Sequence, residues 1–216
     1  MKVFKFGGAS IKDYKSIIRL YRIIRKENHD RMIIIVSAMG KTTNSMEKLV
    51  LSYLNSSKNF KDKLELIKNF HLDIIKNLFK KNNSSITNIV QVVFDEIDEF
   101  LKTNKETDYN LIYDQIVSYG EILSSLIISK YLNFMGLKSK WVDARYCIVT
   151  DEYYRDANVD LEKTSKSIKK NIRGKGLFVS QGFIGSNKKS YTATLGREGS
   201  DYSAAIFAHA LEAESV

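Results

Sequence analysis

The sequence predicts an α/β fold: a mostly parallel sheet with helices on both faces, carrying a helical insertion. Short runs that are apolar at every position, such as "MIIIV" at residues 32–36, alternate with longer segments of helical periodicity. A strand that is apolar on both sides is buried on both sides, the condition of a parallel sheet covered by helices. From about residue 55 to residue 105 the helical period continues with no strand between, as an insertion would. A chain of 216 residues with 44% hydrophobic side chains is long enough to bury such a core.

The elements follow in order. Residues 3–6 read as a first strand that ends in "KFGG". In "IIRLYRIIRK" the spacing of Ile17, Ile18, Tyr21 and Ile24 puts them on one helical face, with Arg and Lys mostly opposite. "MIIIVSA" is the second strand, so the chain opens as a βαβ unit with a right-handed crossover. Within the insertion Leu64, Ile67, Phe70, Ile74, Ile75 and Leu78 keep helical spacing, and "KNNSS" breaks it. Leu111, Ile112, Ile116, Ile122, Leu123, Leu126 and Ile127 predict one helix that runs through "SYGE" to Tyr131 and stops at Gly136. "KSKWVDA", "YCIVT" and "GLFVSQGFIG" read as three further strands, with "DLEKTSKSIKKNIRGK" a helix between the last two. In "GSDYSAAIFAHALEAE", serine and aspartate ahead of a small-residue amphipathic run predict a capped helix. Proline is absent, which removes one marker of the boundaries.

Composition narrows the function. The formal charge is +9, but basic residues recur along the whole chain and concentrate only in "KNLFKKNN" and "KSIKKNIRGKG". Both read as solvated helix faces, so no nucleic-acid partner is expected. The N-terminus lacks the apolar stretch of a signal peptide and "MIIIV" is too short to cross a bilayer, so the expectation is a cytoplasmic protein with no membrane partner. Cys147 is the only cysteine, which excludes an internal disulfide and a cysteine-built zinc cage and predicts a partly buried free thiol. His29, His71 and His209 fall in unrelated elements, so no metal site is expected from them.

Four glycine-containing polar segments, "KFGGAS", "VSAMGKTTN", "SYGE" and "TLGREGSDYSAA", fall at strand ends or helix starts, where open α/β sheets bind ligands. They offer Lys5 as a fixed cation, the amides of Gly7 and Gly8, the hydroxyls of Ser10, Ser37 and Thr43, and the carboxylates of Glu121 and Asp201. Arg197 adds a planar fork suited to a carboxylate or phosphate, and the helix after Ser200 turns its positive end to any anion there. Positioning and charge neutralisation are what phosphoryl transfer requires. "MGKTTN" contains Gly40-Lys41-Thr42 but is no Walker sequence, because Ile35 stands where that pattern needs a glycine.

In this order and spacing the four segments resemble those of aspartate kinases, members of the amino-acid-kinase fold that phosphorylate the side-chain carboxylate of aspartate with ATP. The resemblance runs from Lys5 to about Val216. It implies a three-layer αβα sandwich in which residues 1–216 form the N-terminal, substrate-side portion of the catalytic domain. It further implies that Lys5 neutralises the transferring phosphoryl group, with Gly7, Gly8 and Ser10 on the phosphate side. Glu121 would pair with the α-amino group of aspartate and Arg197 with its α-carboxylate. Ser37, Thr43 and Ser200 would orient the amino acid, and Asp201 would position Lys5 or a magnesium-bound phosphate. ATP, with Mg2+ held through its phosphates, is the expected cofactor, 4-phospho-aspartate the product, and a homodimer the expected assembly. The product leads toward lysine, threonine and methionine.

Three departures from that pattern bear on the site. Ala9 stands where the family commonly has threonine, and Glu198 replaces a common glycine beside Arg197. The nucleotide-holding segment and regulatory domains that follow in aspartate kinases are not in this sequence, so the expectation is a piece of a longer chain that is inactive alone. Other family chemistries, with glutamate, acetylglutamate, carbamate or a nucleotide as acceptor, stay open beside aspartate, as does a non-catalytic amino-acid-binding subunit.

Overall fold

The computed structural model describes residues 1–56 and 59–216. Residues 57 and 58, inside the predicted insertion, lie outside the described residues. Four parallel strands, β1 (Lys2–Phe6), β2 (Arg31–Val36), β3 (Ser139–Val142) and β4 (Gly176–Gln181), form a sheet in the order β1-β2-β4-β3. In register, Phe6 lies beside Val36 and Val36 beside Gln181, so three strands end level. Their following loops therefore meet along one rim.

The predicted run of β2 explains the layers. Met32, Ile34 and Val36 face one core with helices α1 (Tyr14–Lys26), α2 (Thr42–Leu54), α3 (Phe60–Phe79), α4 (Ser84–Thr103), α5 (Tyr109–Val117) and α6 (Tyr119–Phe134). Ile33 and Ile35 face the other, with α7 (Leu161–Asn171) and α8 (Gly199–Ala210). Period-two side-chain alternation splits one apolar run between two cores. The result is a three-layer αβα arrangement, with the α3–α4 pair as the helical insertion.

Several elements differ from the sequence expectation. "YCIVT" forms no strand: a short 3-10 turn covers Ala144–Tyr146, and Val149 and Thr150 make only isolated bridges to Ser186 and Val159. Its apolar character comes from burial, since Cys147 and Ile148 are enclosed in the α7–α8 core and burial pushes the Cys147 thiol up to about 12. "GLFVSQGFIG" is two strands; after β4 the chain turns into β5 (Ile184–Ser186), which pairs antiparallel with β6 (Thr192–Thr194). The long helix is interrupted at Ser118, between α5 and α6. Tyr109–Phe134 is nonetheless long and apolar enough by composition to span a bilayer, unlike "MIIIV", but most of it is packed inside the protein. At α8 the cap position is Glu198, in the left-handed region at φ 57°, and neither Ser200 nor Asp201 caps it.

In α3 the buried stripe runs through Leu64, Ile67, His71, Ile74, Ile75 and Leu78, and Phe70 is exposed instead. His71 sits between the rings of Phe70 and Phe94, with centroids at 5.1 and 6.1 Å. Its Nδ1–H donates to the Ile67 carbonyl at 2.8 Å, and Nε2 has no partner among the described residues. Burial lowers its pKa to about 4.

Because the folded value lies below the ordinary 6.5, His71 contributes stability that is present at neutral pH and is lost as pH falls through about 4. In urea unfolding between pH 7 and pH 4, the His71→Leu variant is expected to lose about 3 kcal/mol less than the wild type. Identical pH slopes would contradict this burial.

Candidate active site

The level ends of β1, β2 and β4 deliver three loops to one rim: Gly7-Gly8, Ser37 to Gly40, and Gly182-Phe183. Their close approach depends on glycine. A Cβ on Gly8 would fall 2.7 Å from the Ala38 carbonyl oxygen, and one on Gly182 would fall 2.7 Å from Ser200. Gly40 N–H donates to the Gly8 carbonyl at 3.0 Å, which locks the first two loops together. Outside the helices and strands, no backbone bond among the described residues takes up the amides of Gly7 and Gly8, which leaves them to serve as donors beside Lys5.

Lys5, at the end of β1, meets Asp201 in the first turn of α8, with Nζ to Oδ2 at 2.8 Å. The pair is open: 60% of the Asp201 side chain is exposed against 24% of Lys5. Such a pair contributes little to stability, but it holds the ammonium in a fixed position beside Gly7, where an added Cβ would lie 3.5 Å from Nζ. The Ser37 hydroxyl donates to Ser200 Oγ at 2.9 Å, so the β2 loop and the start of α8 also touch.

Glu121 lies in the first turn of α6 and is 2% exposed. Its Oε1 accepts the Ala38 N–H at 3.0 Å, and Oε2 is buried without a partner among the described residues. Gly120 permits this approach, because a Cβ there would meet the Ala38 Cβ at 2.9 Å. The Ser124 hydroxyl, one turn on, donates to the Ser37 carbonyl at 2.6 Å and presses α6 against the same loop. Burial raises the Glu121 carboxyl to about 8, against the lowering effect of the Ala38 hydrogen bond. A carboxyl so placed is poised to take a cation on its free oxygen.

The structure thus brings Lys5, Gly7, Gly8, Ser37, Glu121, Ser200 and Asp201 to one rim. Three expected residues contribute no side-chain hydrogen bond to that set among the described residues. Ser10 is exposed, and only its backbone is engaged, by a bond from its N–H to the Gly7 carbonyl at 2.8 Å. Thr43 is half-buried in the first turn of α2 with no hydrogen bond from its hydroxyl among the described residues. Arg197 is exposed and without an ion-pair partner among the described residues, and the equally exposed Glu198 beside it forms no pair with it. Ala9 is exposed as well. A cavity of about 350 Å³ between α2 and α3, lined by Lys41, Lys48, Lys63 and Phe70 among others, contains none of the candidate residues.

Two buried acidic groups, Asp114 and Asp143, escaped the sequence reading. Asp114 in α5 is fully enclosed, and burial raises its carboxyl to about 6. The available signal was its place seven residues, two helical turns, before Glu121 in a largely apolar helical stretch.

The amino acid kinase family pattern matches residues 1–216. The lysine-sensitive aspartokinase 3 of Escherichia coli is 30% identical over 217 residues, covering 99% of this chain and 47% of that protein. An aspartokinase of Chlamydia pneumoniae is also 30% identical, over 99% of this chain and 46% of its own length. The E. coli aspartokinase III structure with aspartate and ADP superposes with a TM-score of 0.86 at 27% identity, covering 99% of this chain and 47% of that one. The aspartate kinase of Clostridium acetobutylicum superposes at 0.80 with 26% identity, over 99% of this chain and 46% of that one. The chain spans about half the length of these relatives.

Glu121 gives this site a measurable signature. Its folded pKa of about 8 exceeds the ordinary 4.5, so the folded state holds the proton more tightly and stability falls as pH rises through that window. Glu121→Gln keeps the acceptor for Ala38 and removes the charge. It is expected to be more stable than the wild type at pH 8 by a few kcal/mol, on the order of the shift, and equal to it near pH 4.5. Urea unfolding at the two pH values checks this; a destabilised variant at pH 8 would contradict it.

Proposed function

The chain belongs to the amino acid kinase family, and on that premise we propose that it is the substrate-side part of an aspartate kinase, transferring the γ-phosphoryl group of ATP to the side-chain carboxylate of aspartate. The observation that carries the reading is Glu121: a buried carboxyl group with one oxygen spent on Ala38 and the other unpartnered among the described residues, at the rim where the strands end. An α-ammonium group supplies the missing partner and the missing charge together.

The remaining groups then divide between two ends of a small dipolar substrate. Glu121 takes the ammonium, Arg197, which has no ion-pair partner among the described residues, takes the α-carboxylate, and the linked hydroxyls of Ser37 and Ser200 orient the backbone of the amino acid. Thr43 adds a hydroxyl from the first turn of α2. Glu121 and Arg197 together fix the α-carbon, so selection between aspartate and glutamate falls to the reach of the side-chain carboxylate toward the phosphate side, where one methylene discriminates by only about 1–3 kcal/mol.

On the other side Lys5, held by Asp201, presents an ammonium next to glycine amides that are free to donate. That donor set fits a phosphate, and the positive end of α8 adds to it. Ser10 lies beside these glycines. The substrate carboxylate is itself the nucleophile, so no covalent enzyme intermediate is required; the chain orients the two reactants and neutralises charge. Magnesium, held through the nucleotide phosphates, supplies further charge neutralisation when bound. Asp201 is the acidic group of the rim nearest to that function, through its contact with Lys5. Aspartate and ATP are thus the proposed small-molecule partners, in the setting of amino-acid biosynthesis.

Calorimetric titration of the 216-residue chain with aspartate, with glutamate as control, tests the substrate half. Aspartate is expected to bind at least several-fold more tightly than glutamate. Arg197→Ala is expected to weaken aspartate by about tenfold or more, the scale of a hydrogen bond to a charged group. Equal affinity for the two amino acids, or an Arg197→Ala variant that binds like wild type, would overturn the substrate assignment.

A further inference from the structure

The cavity between α2 and α3 sets unbalanced charge against apolar surface that folding has left open. Lys41, Thr42, Ser45 and Lys48 line it from the start of α2, spaced so that they share one helical face. Lys63, Leu66, Ile67 and Phe70 line it from α3 at the spacing of a second such face. The two faces enclose about 350 Å³, inside the range of small-molecule sites, about 300–1,000 Å³.

On the apolar side Ile67 is buried, but Leu66 is 70% exposed and the Phe70 ring is open to solvent, because the adjacent His71 takes the core position. On the charged side no carboxylate lines the cavity, and Lys41, Lys48 and Lys63 have no ion-pair partner among the described residues. Helix α2 starts without a side-chain cap, so its positive end adds to the same field. Like charges around one concavity repel, and an anion placed among them relieves the repulsion. Thr42 stands between this cavity and the rim: its hydroxyl donates to the Met39 carbonyl at 2.7 Å, and a Cβ on Gly120 would lie 3.3 Å from its methyl. An occupant therefore bears on the first turn of α2 and not on Lys5.

We propose that the α2–α3 cavity is a second binding site, for an amphipathic organic phosphate: a flat apolar body lies on Leu66 and Phe70, and the phosphate sits among Lys41, Lys48 and Lys63. A phosphate fits better than a carboxylate because three ammonium groups match a dianion, and each can donate to it. The flat body follows from Phe70, whose open face stacks with another ring. The Ser45 hydroxyl, half-buried in the wall, is a further donor to the phosphate. Either half of such a ligand alone meets half of the site, so the two together should bind far better than each. The site shares no residue with the Lys5 rim, and it stands whether or not the substrate reading above does.

Fluorescence titration of the 216-residue chain with naphthyl phosphate tests this, with inorganic phosphate and naphthol as the two halves. Naphthyl phosphate is expected to bind at least about tenfold more tightly than either half. Lys48→Glu and Lys63→Glu are each expected to weaken it by about tenfold or more, the scale of a hydrogen bond to a charged group. Phe70→Ala should weaken it several-fold. These side chains lie at the surface or half-buried, so the variants keep the fold. Lys5→Ala, which disables the phosphate side of the rim, should bind naphthyl phosphate like wild type. In the wild type, saturation should slow amide exchange at residues 42–45, the uncapped first turn of α2. No binding by the wild type, or binding that both lysine reversals leave unchanged, overturns the site. Binding that Lys5→Ala abolishes places the phosphate at the rim and overturns it equally.

Discussion

The contact between Glu121 and the Ala38 amide constrains the rest of the rim. Enclosing a carboxylate with a single hydrogen bond is costly, because the group gives up water and recovers one donor. The chain accepts the cost through several features that serve no other evident end. Gly120 sits inside a helix, where glycine is unfavourable by about 1 kcal/mol, and its missing side chain brings α6 against Ala38. The Ser124 hydroxyl reinforces the approach by bonding the Ser37 carbonyl. Ser37 is thereby held where its own hydroxyl reaches Ser200. A small shift of α6 would be felt at α8.

Close approaches that only glycine allows collect where the strands end. Gly8 and Gly182 admit neighbouring backbone that any side chain would displace, Glu198 takes a left-handed conformation, and Lys5 and Asp201 leave an ammonium at the open edge. Locally unfavourable choices concentrated in one place are the mark of a binding site on an otherwise consistent fold. The arrangement is also divided. One side offers glycine amides and a lysine, suited to phosphate; the other offers a buried carboxylate, hydroxyls and an arginine, suited to a zwitterion.

Much of this was legible in the sequence for identifiable reasons. β1, β2 and the helix between them follow from apolar runs and a single amphipathic period, signals that tertiary context seldom overrides. The glycine-bearing strand ends located the rim, and the order of the four segments located Lys5 and Asp201, 196 residues apart, on either side of one ion pair. Other features left no local trace. "YCIVT" has strand composition because Cys147 and Ile148 are buried, not because they join a ladder. β6 has three residues, too few for a period, and is held by the side chains of Asp114 and Gln115. The break at Ser118 leaves the apolar spacing of the helix intact. His71 displaced Phe70 from the core by one position, which shows how far a polar residue's exposure can mislead when its only buried bond is to a carbonyl one turn away.

The most direct test is the ionisation of Glu121 itself, followed through the carbon-13 shift of its side-chain carboxyl as pH is varied, with and without aspartate. The free protein should titrate near pH 8, and saturating aspartate should move the midpoint down by at least one unit, because an ammonium on the free oxygen favours the carboxylate. A midpoint in the ordinary carboxylate range, or one that aspartate leaves unmoved, would contradict the account.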